Sequence, residues 1–114
     1  MNSETWVIEA GDRVIQKKAR DGFDCLSEWE RLVYSLWAAD YGMRNAGDLD
    51  TARDVFPEFQ AVGLRAAEIL ALHVTRKAFA LTLQAFSERY FELFESVCGE
   101  VQNAEHDDEA DGGA

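Results

Sequence analysis

The chain has 114 residues and a formal net charge of −11, with 22 acidic residues against 11 basic ones. This length suits one domain, and the acidity disfavours direct binding to nucleic acid or an anionic membrane, because both need clustered lysine and arginine. No apolar run approaches the ~20 residues of a membrane span, and the N-terminus lacks a secretory pattern, so we expect a cytoplasmic protein. Cys25 and Cys98 stand in unrelated segments and are predicted to be reduced thiols.

The first predicted helix covers residues 3–20 and stops at Asp21-Gly22. A β-hairpin over residues 5–16 is the alternative, because Gly11-Asp12 between two apolar runs is a typical turn. The lysine- and arginine-rich continuation favours the helix, since cations near a helix C-terminus interact favourably with its dipole.

The second predicted helix begins at a capping box, in which Ser27 and Glu30 each satisfy a free backbone N–H. At about 100° per residue, its apolar positions gather on one face. They are Trp29, Leu32, Val33, Leu36 and Trp37. Asp40 falls on the same face, where an unpaired carboxylate would cost several kcal/mol. We interpret Asp40 as a structural residue that caps the following break or pairs with Arg44; a catalytic acid is the alternative.

A tight reversal is predicted at Asn45-Ala46-Gly47, because asparagine and glycine both tolerate positive φ. Three aspartates follow, and they allow either the start of a short third helix over residues 51–55 or a calcium loop. They are Asp48, Asp50 and Asp54. A calcium loop of the EF-hand type needs glycine where this chain has Arg53 and glutamate where it has Phe59, so helix capping is the preferred interpretation.

Pro57 predicts the first turn of a fourth helix, Gly63 marks its end or a bend, and the helical pattern resumes over residues 64–72. His73 lies at the junction to the last element and is interpreted as structural. No paired histidines occur at helical spacing, so neither a metal nor any other cofactor is predicted.

The last predicted helix covers residues 74–103, and its apolar residues recur at steps of three and four, as in the seam of a helical bundle. They are Phe79, Leu83, Phe86, Tyr90, Leu93, Val97 and Val101, widened by Phe91, Phe94 and Cys98. So wide a face predicts burial among several helices or in a second subunit. On the opposite side, Glu88, Glu92 and Glu95 line up without a lysine between them. We name these three residues the acidic ridge.

Residues 104–114 carry five acidic residues and no lysine or arginine, and they are predicted to be a disordered tail. The sequence therefore predicts an all-α fold: a compact bundle of about five helices over residues 1–103, with a long amphipathic C-terminal helix.

Several short motifs together resemble one known family, the bacterial DNA-mimic-protein domain family, over about residues 13–97. They are Leu26-Ser27-x-x-Glu30-Arg31, Leu36-Trp37, Asp40, Asn45-x-Gly47, and Val62-Gly63 with the helical residues 64–72. The family usually has Asn-Gly-Gly where this chain has Asn45-Ala46-Gly47, and residues 49–54 also depart from its pattern. The resemblance implies an all-helical, acidic protein that is not an enzyme and can form a homodimer.

Two functional hypotheses follow. The first is an interaction module that engages a basic protein partner in the manner of a DNA mimic, an inhibitor or an immunity protein. Its contact residues would be the acidic ridge first and Asp48, Asp50 and Asp54 second, since carboxylates one helical turn apart lie ~6 Å from each other, close to the spacing of successive phosphates. The alternative is a small ligand-binding protein or enzyme with a pocket around Asp40, Trp29 and Trp37, with His73 nearby.

Overall fold

Helices make up all the regular secondary structure of the described residues. The computed structural model describes the backbone of residues 2–112 and the side chains of residues 2–105. The helices are α1 (Ser3–Asp21), α2 (Glu28–Ala46), α3 (Asp50–Val55), α4 (Phe59–Ile69), α5 (His73–Phe79) and α6 (Leu83–Gly112), with a 3-10 turn at Phe23–Cys25. The predicted all-α bundle is confirmed.

Helix α2 lies at the centre of the bundle and contacts α1, α3, α4 and α6. Its predicted capping box is present: the Glu30 backbone N–H donates to Ser27 Oγ at 3.1 Å, and the Ser27 N–H donates to Glu30 Oε1 at 2.9 Å. Burial alone would raise the pKa of Glu30, but hydrogen bonds from Lys17 and Ser27 lower it overall. Gly47 ends the helix with φ of 75°, as the turn prediction requires, and the Asn45 side chain donates to the Tyr41 carbonyl.

The N-terminal segment is a helix and not a hairpin. Asn2 caps α1 by accepting the Thr5 backbone N–H at 2.8 Å. Gly11, which suggested a turn, is needed for close packing instead, because a Cβ there would lie 2.4 Å from Cδ1 of Trp37. Helix α1 therefore packs tightly along α2.

The prediction of one helix over residues 74–103 is wrong, because the chain breaks between Phe79 and Leu83 and forms α5 and α6. The hydroxyl of Thr82 accepts the Ala85 backbone N–H at the start of α6. The side-chain amide of Gln60 donates to the carbonyls of Phe79 and Leu81. These side chains satisfy backbone groups that a continuous helix would have paired, so the break needs neither glycine nor proline.

The C-terminal end of α4 is formed by residues after Gly63, which lies inside this helix and neither ends nor bends it. The Leu72 N–H donates to the Ala67 carbonyl at 2.9 Å, and the Ala71 N–H donates to the Glu68 carbonyl at 3.2 Å. This is a Schellman motif, whose left-handed residue is usually glycine. Here that residue is Ala71, with φ of 57°, so the motif contains local strain.

We expect Ala71→Gly to raise the free energy of unfolding by about 0.5–1 kcal/mol, because relief of left-handed strain exceeds the added freedom of the unfolded chain. Urea denaturation measures the change. Ala80→Gly is the matched control: Ala80 is also an exposed residue at a helix end, but its φ is −84°. No gain is expected there, and an equal gain at both sites would contradict the strain argument.

The boundary between domain and tail, placed at residue 104, lies too early. Ala104 is buried in the core, and Glu105 lies 3.6 Å from Arg13. Helix α6 carries the backbone on through Gly112. The tail side chains from residue 106 onward lie outside the described residues.

Candidate functional site

The acidic ridge lies on the outer side of α6, where all three of its side chains are exposed. The helical rise places Glu88 and Glu92 about 6 Å apart along the axis, and Glu92 and Glu95 about 4.5 Å apart. The interior of the bundle lies behind the ridge, because Phe86, Tyr90, Phe94 and Val97 on the opposite side of α6 are buried. The structure therefore brings the three ridge residues together on one accessible face.

Each ridge carboxylate has one polar neighbour. Arg89 lies 3.4 Å from Glu92, Gln84 donates to Glu88 at 3.2 Å, and the Ser3 hydroxyl donates to Glu95 at 2.7 Å. As the sequence indicates, no lysine pairs with the ridge among the described side chains; the cation that contacts it is Arg89. The hydrogen-bond donors to Glu88 and Glu95 are neutral, and neither carboxylate forms an ion pair among the described side chains.

Phe91 lies between Glu88 and Glu95 on α6, three residues after the first and four before the second, and its side chain is 53% exposed. It was predicted to widen the buried stripe, and the structure places it outside instead. The guanidinium of Arg44 lies 5.2 Å from the centre of its ring and 4.9 Å from that of Phe94. An exposed aromatic ring, fixed by a cation–π contact, thus stands among the ridge carboxylates.

A buried polar network beneath this surface ties α6 to α2. Asp40 is 3% exposed, and its Oδ1 accepts the Tyr90 hydroxyl at 2.8 Å and Arg44 Nε at 2.9 Å. The predicted pairing of Asp40 with Arg44 is present, and Arg44 also reaches Glu4 at 3.6 Å. Burial raises the pKa of Asp40, while Tyr90 and Arg44 oppose that rise. The network positions Arg44 over Phe91.

Two neighbouring groups share the low-polarity environment of Asp40. Burial, together with the Asp40 charge, raises the pKa of Tyr90. Burial and the same carboxylate raise the pKa of the Cys98 thiol to about 12. Both groups therefore stay protonated at neutral pH and serve packing and hydrogen bonding.

The second set of predicted contact residues begins with Asp48, which is a capping residue: its Oδ1 accepts the Thr51 backbone N–H at 2.9 Å and the Thr51 hydroxyl at 3.0 Å. Asp50 lies 3.5 Å from Arg53, and Asp54 is exposed. The Leu49 N–H donates to Ser87 Oγ at 3.3 Å, which brings the start of α3 beside the Glu88 end of the ridge. Among the residues whose side chains are described, no group of acids, histidines and cysteines is arranged to hold a metal ion.

The residues of the alternative pocket occupy separate environments. The Trp29 indole donates to the Val101 carbonyl at 2.8 Å within the core. Trp37 stacks between Tyr34 and Tyr41, and His73 is exposed at the first position of α5. The hydrogen bonds of Asp40 go to Tyr90 and Arg44 and not to Trp29, Trp37 or His73.

Comparison with protein-family models, with curated proteins and with solved structures finds no match. Over its described part, the chain has no helix with the length and apolar character needed to cross a membrane.

Proposed function

We propose that this protein is a non-enzymatic, cytoplasmic interaction module that binds a basic protein surface through α6, in the manner of a DNA mimic or an inhibitor. The observation that carries the proposal is the exposed Phe91 ring between the exposed carboxylates of Glu88 and Glu95. Aromatic anchors surrounded by charged rims are typical of protein interfaces. The resemblance of residues 13–97 to the DNA-mimic-protein domain family supports the same function.

The binding mechanism divides between charge and apolar contact. The net charge of −11 attracts a basic partner from a distance and accelerates encounter, and the ridge then fixes the orientation of the complex. Exposed carboxylates individually contribute little to affinity, so most of the binding free energy falls to Phe91, which would enter an apolar depression on the partner.

The rigid setting of Phe91 favours this role. Arg44 covers one face of the ring and is itself held by Asp40, which also accepts the Tyr90 hydroxyl. A ring that is already fixed loses less conformational entropy on binding than a free side chain. Asp48 and Asp50 extend the acidic surface at the Glu88 end, where α3 begins.

We expect affinity capture from an extract of the source organism at low salt to separate this proposal from simple charge attraction. Three baits are compared: wild type, a ridge variant (Glu88→Gln, Glu92→Gln and Glu95→Gln) and a control variant (Glu9→Gln, Asp24→Asn and Glu68→Gln). The control removes the same charge from exposed residues of three other elements.

A basic protein should be retained by wild type and by the control, lost by the ridge variant, and released by ~0.3 M salt, because exposed charges are strongly screened. Equal loss by both variants would mean that net charge alone attracts the partner. Equal, salt-resistant retention by all three baits would place binding on another face.

A further inference from the structure

A groove of about 430 Å³ lies between α5 and the first half of α6, and it adjoins the acidic ridge at Arg89. Val74, Ala78, Leu81 and Leu93 form its apolar floor, and Lys77 and Arg89 stand at its edge. Its size falls in the range of clefts that hold small ligands, and apolar floors with a few polar groups are typical of such sites.

The floor of the groove is accessible and structurally supported. Val74, Leu81 and Leu93 are half-buried and pack against the core from three different elements. Leu81 lies in the short segment between α5 and α6, and the side-chain amide of Gln60 donates a hydrogen bond to its carbonyl. The groove is therefore a fixed feature that leaves part of these three side chains uncovered.

The charge at the edge of the groove is positive, opposite in sign to the net charge of the protein. Lys77 has no ion-pair partner among the described side chains, and Arg89 has only the exposed contact with Glu92 at 3.4 Å. The residues that line the groove include two basic residues and no acidic residue, whereas the whole chain carries a net charge of −11. A cationic edge in such a chain favours an anionic ligand.

We propose that this groove binds a small amphiphilic anion, an alkyl-chain carboxylate. The alkyl chain lies on Val74, Leu81 and Leu93, and the carboxylate lies between Lys77 and Arg89. Apolar burial supplies the attraction along the chain, and the two cations select a negative head group through charge-assisted hydrogen bonds. Arg89 exchanges its contact with Glu92 for the ligand.

The test is a titration of the full chain with decanoate below its aggregation threshold, followed by calorimetry and by amide chemical shifts. Decanol and decyltrimethylammonium, which carry the same alkyl chain with a neutral and a positive head, are the matched ligands. Lys77→Gln is the test variant. Arg76→Gln is its control, because Arg76 is exposed on the same helix and does not line the groove.

We expect decanoate to bind and to change the amide chemical shifts mainly in α5 and the first half of α6. Decanol should bind about tenfold more weakly, and decyltrimethylammonium should not bind in the groove. Lys77→Gln should weaken the binding of decanoate about tenfold, and Arg76→Gln should change its affinity less than twofold. No decanoate binding, equal affinity for decanol, shifts elsewhere, or equal effects of the two variants would overturn the proposal.

Discussion

Gly63→Ala is expected to lower the free energy of unfolding by about 3 kcal/mol, since overpacking of a filled core costs roughly 1–3 kcal/mol and sometimes more. A Cβ at this position would lie 2.3 Å from Cε1 and 2.5 Å from Cδ1 of Phe79. The Phe79 ring cannot move aside easily, because it is buried between Phe59 and Phe86, with ring centres 6.4 and 5.1 Å away. Urea denaturation of the purified variant measures the loss.

Gly99→Ala supplies the matched control with the opposite sign. Gly99 lies inside α6, and a Cβ there would meet nothing within 4 Å. Alanine is the better helix former, so this variant should gain about 0.5–1 kcal/mol. If Gly63→Ala also gained stability, helix propensity and not close packing would govern the glycine positions.

Asp40→Ala is expected to lower the free energy of unfolding by about 3 kcal/mol, because it leaves the buried Tyr90 hydroxyl without its acceptor and removes a partner of Arg44. Asp40→Asn should stay within about 1 kcal/mol of wild type, since its amide oxygen can accept the same two donors. Tyr90→Phe should lose about 2 kcal/mol, typical of a hydrogen bond to a charged group.

The same network predicts a pH dependence. The pKa of Asp40 is raised in the folded state, so between the unfolded and folded pKa values the folded chain binds more protons than the unfolded one. Stability from this group is highest below the unfolded pKa and falls as the pH rises through the folded pKa. The free energy of unfolding of the wild type should therefore rise relative to that of Asp40→Asn as the pH is lowered from 7 towards 4. If the difference in free energy of unfolding between the two proteins stayed constant, Asp40 would not titrate in this pH range.

Local sequence signals predicted much of the fold and part of the site. The capping box of Ser27 and Glu30, the left-handed Gly47, and the pairing of Asp40 with Arg44 depend on residues within four positions of each other. Helical periodicity likewise placed the ridge on one exposed face, because that property depends only on spacing along α6.

Features set by distant segments could not be predicted. The break between α5 and α6 depends on Gln60, about twenty residues earlier. Gly11 and Gly63 suggested turns, but each makes room for an aromatic ring from another helix. Phe91 was predicted to be buried, but it is 53% exposed beside Arg44 of α2, more than forty residues away in sequence. In the sequence, its position between Glu88 and Glu95 was the one indication that the Phe91 side chain would be exposed.

The central claim is tested most directly by the dissociation constant of the captured, purified partner between about 50 and 300 mM NaCl. We expect wild type to weaken steeply with salt, and the ridge variant to bind more weakly with a flatter salt dependence. Phe91→Ala should bind at least about 30-fold more weakly with the salt dependence unchanged, as for an apolar hot spot. If the ridge variant and Phe91→Ala both bound the partner with the affinity and salt dependence of the wild type, the partner would not bind α6.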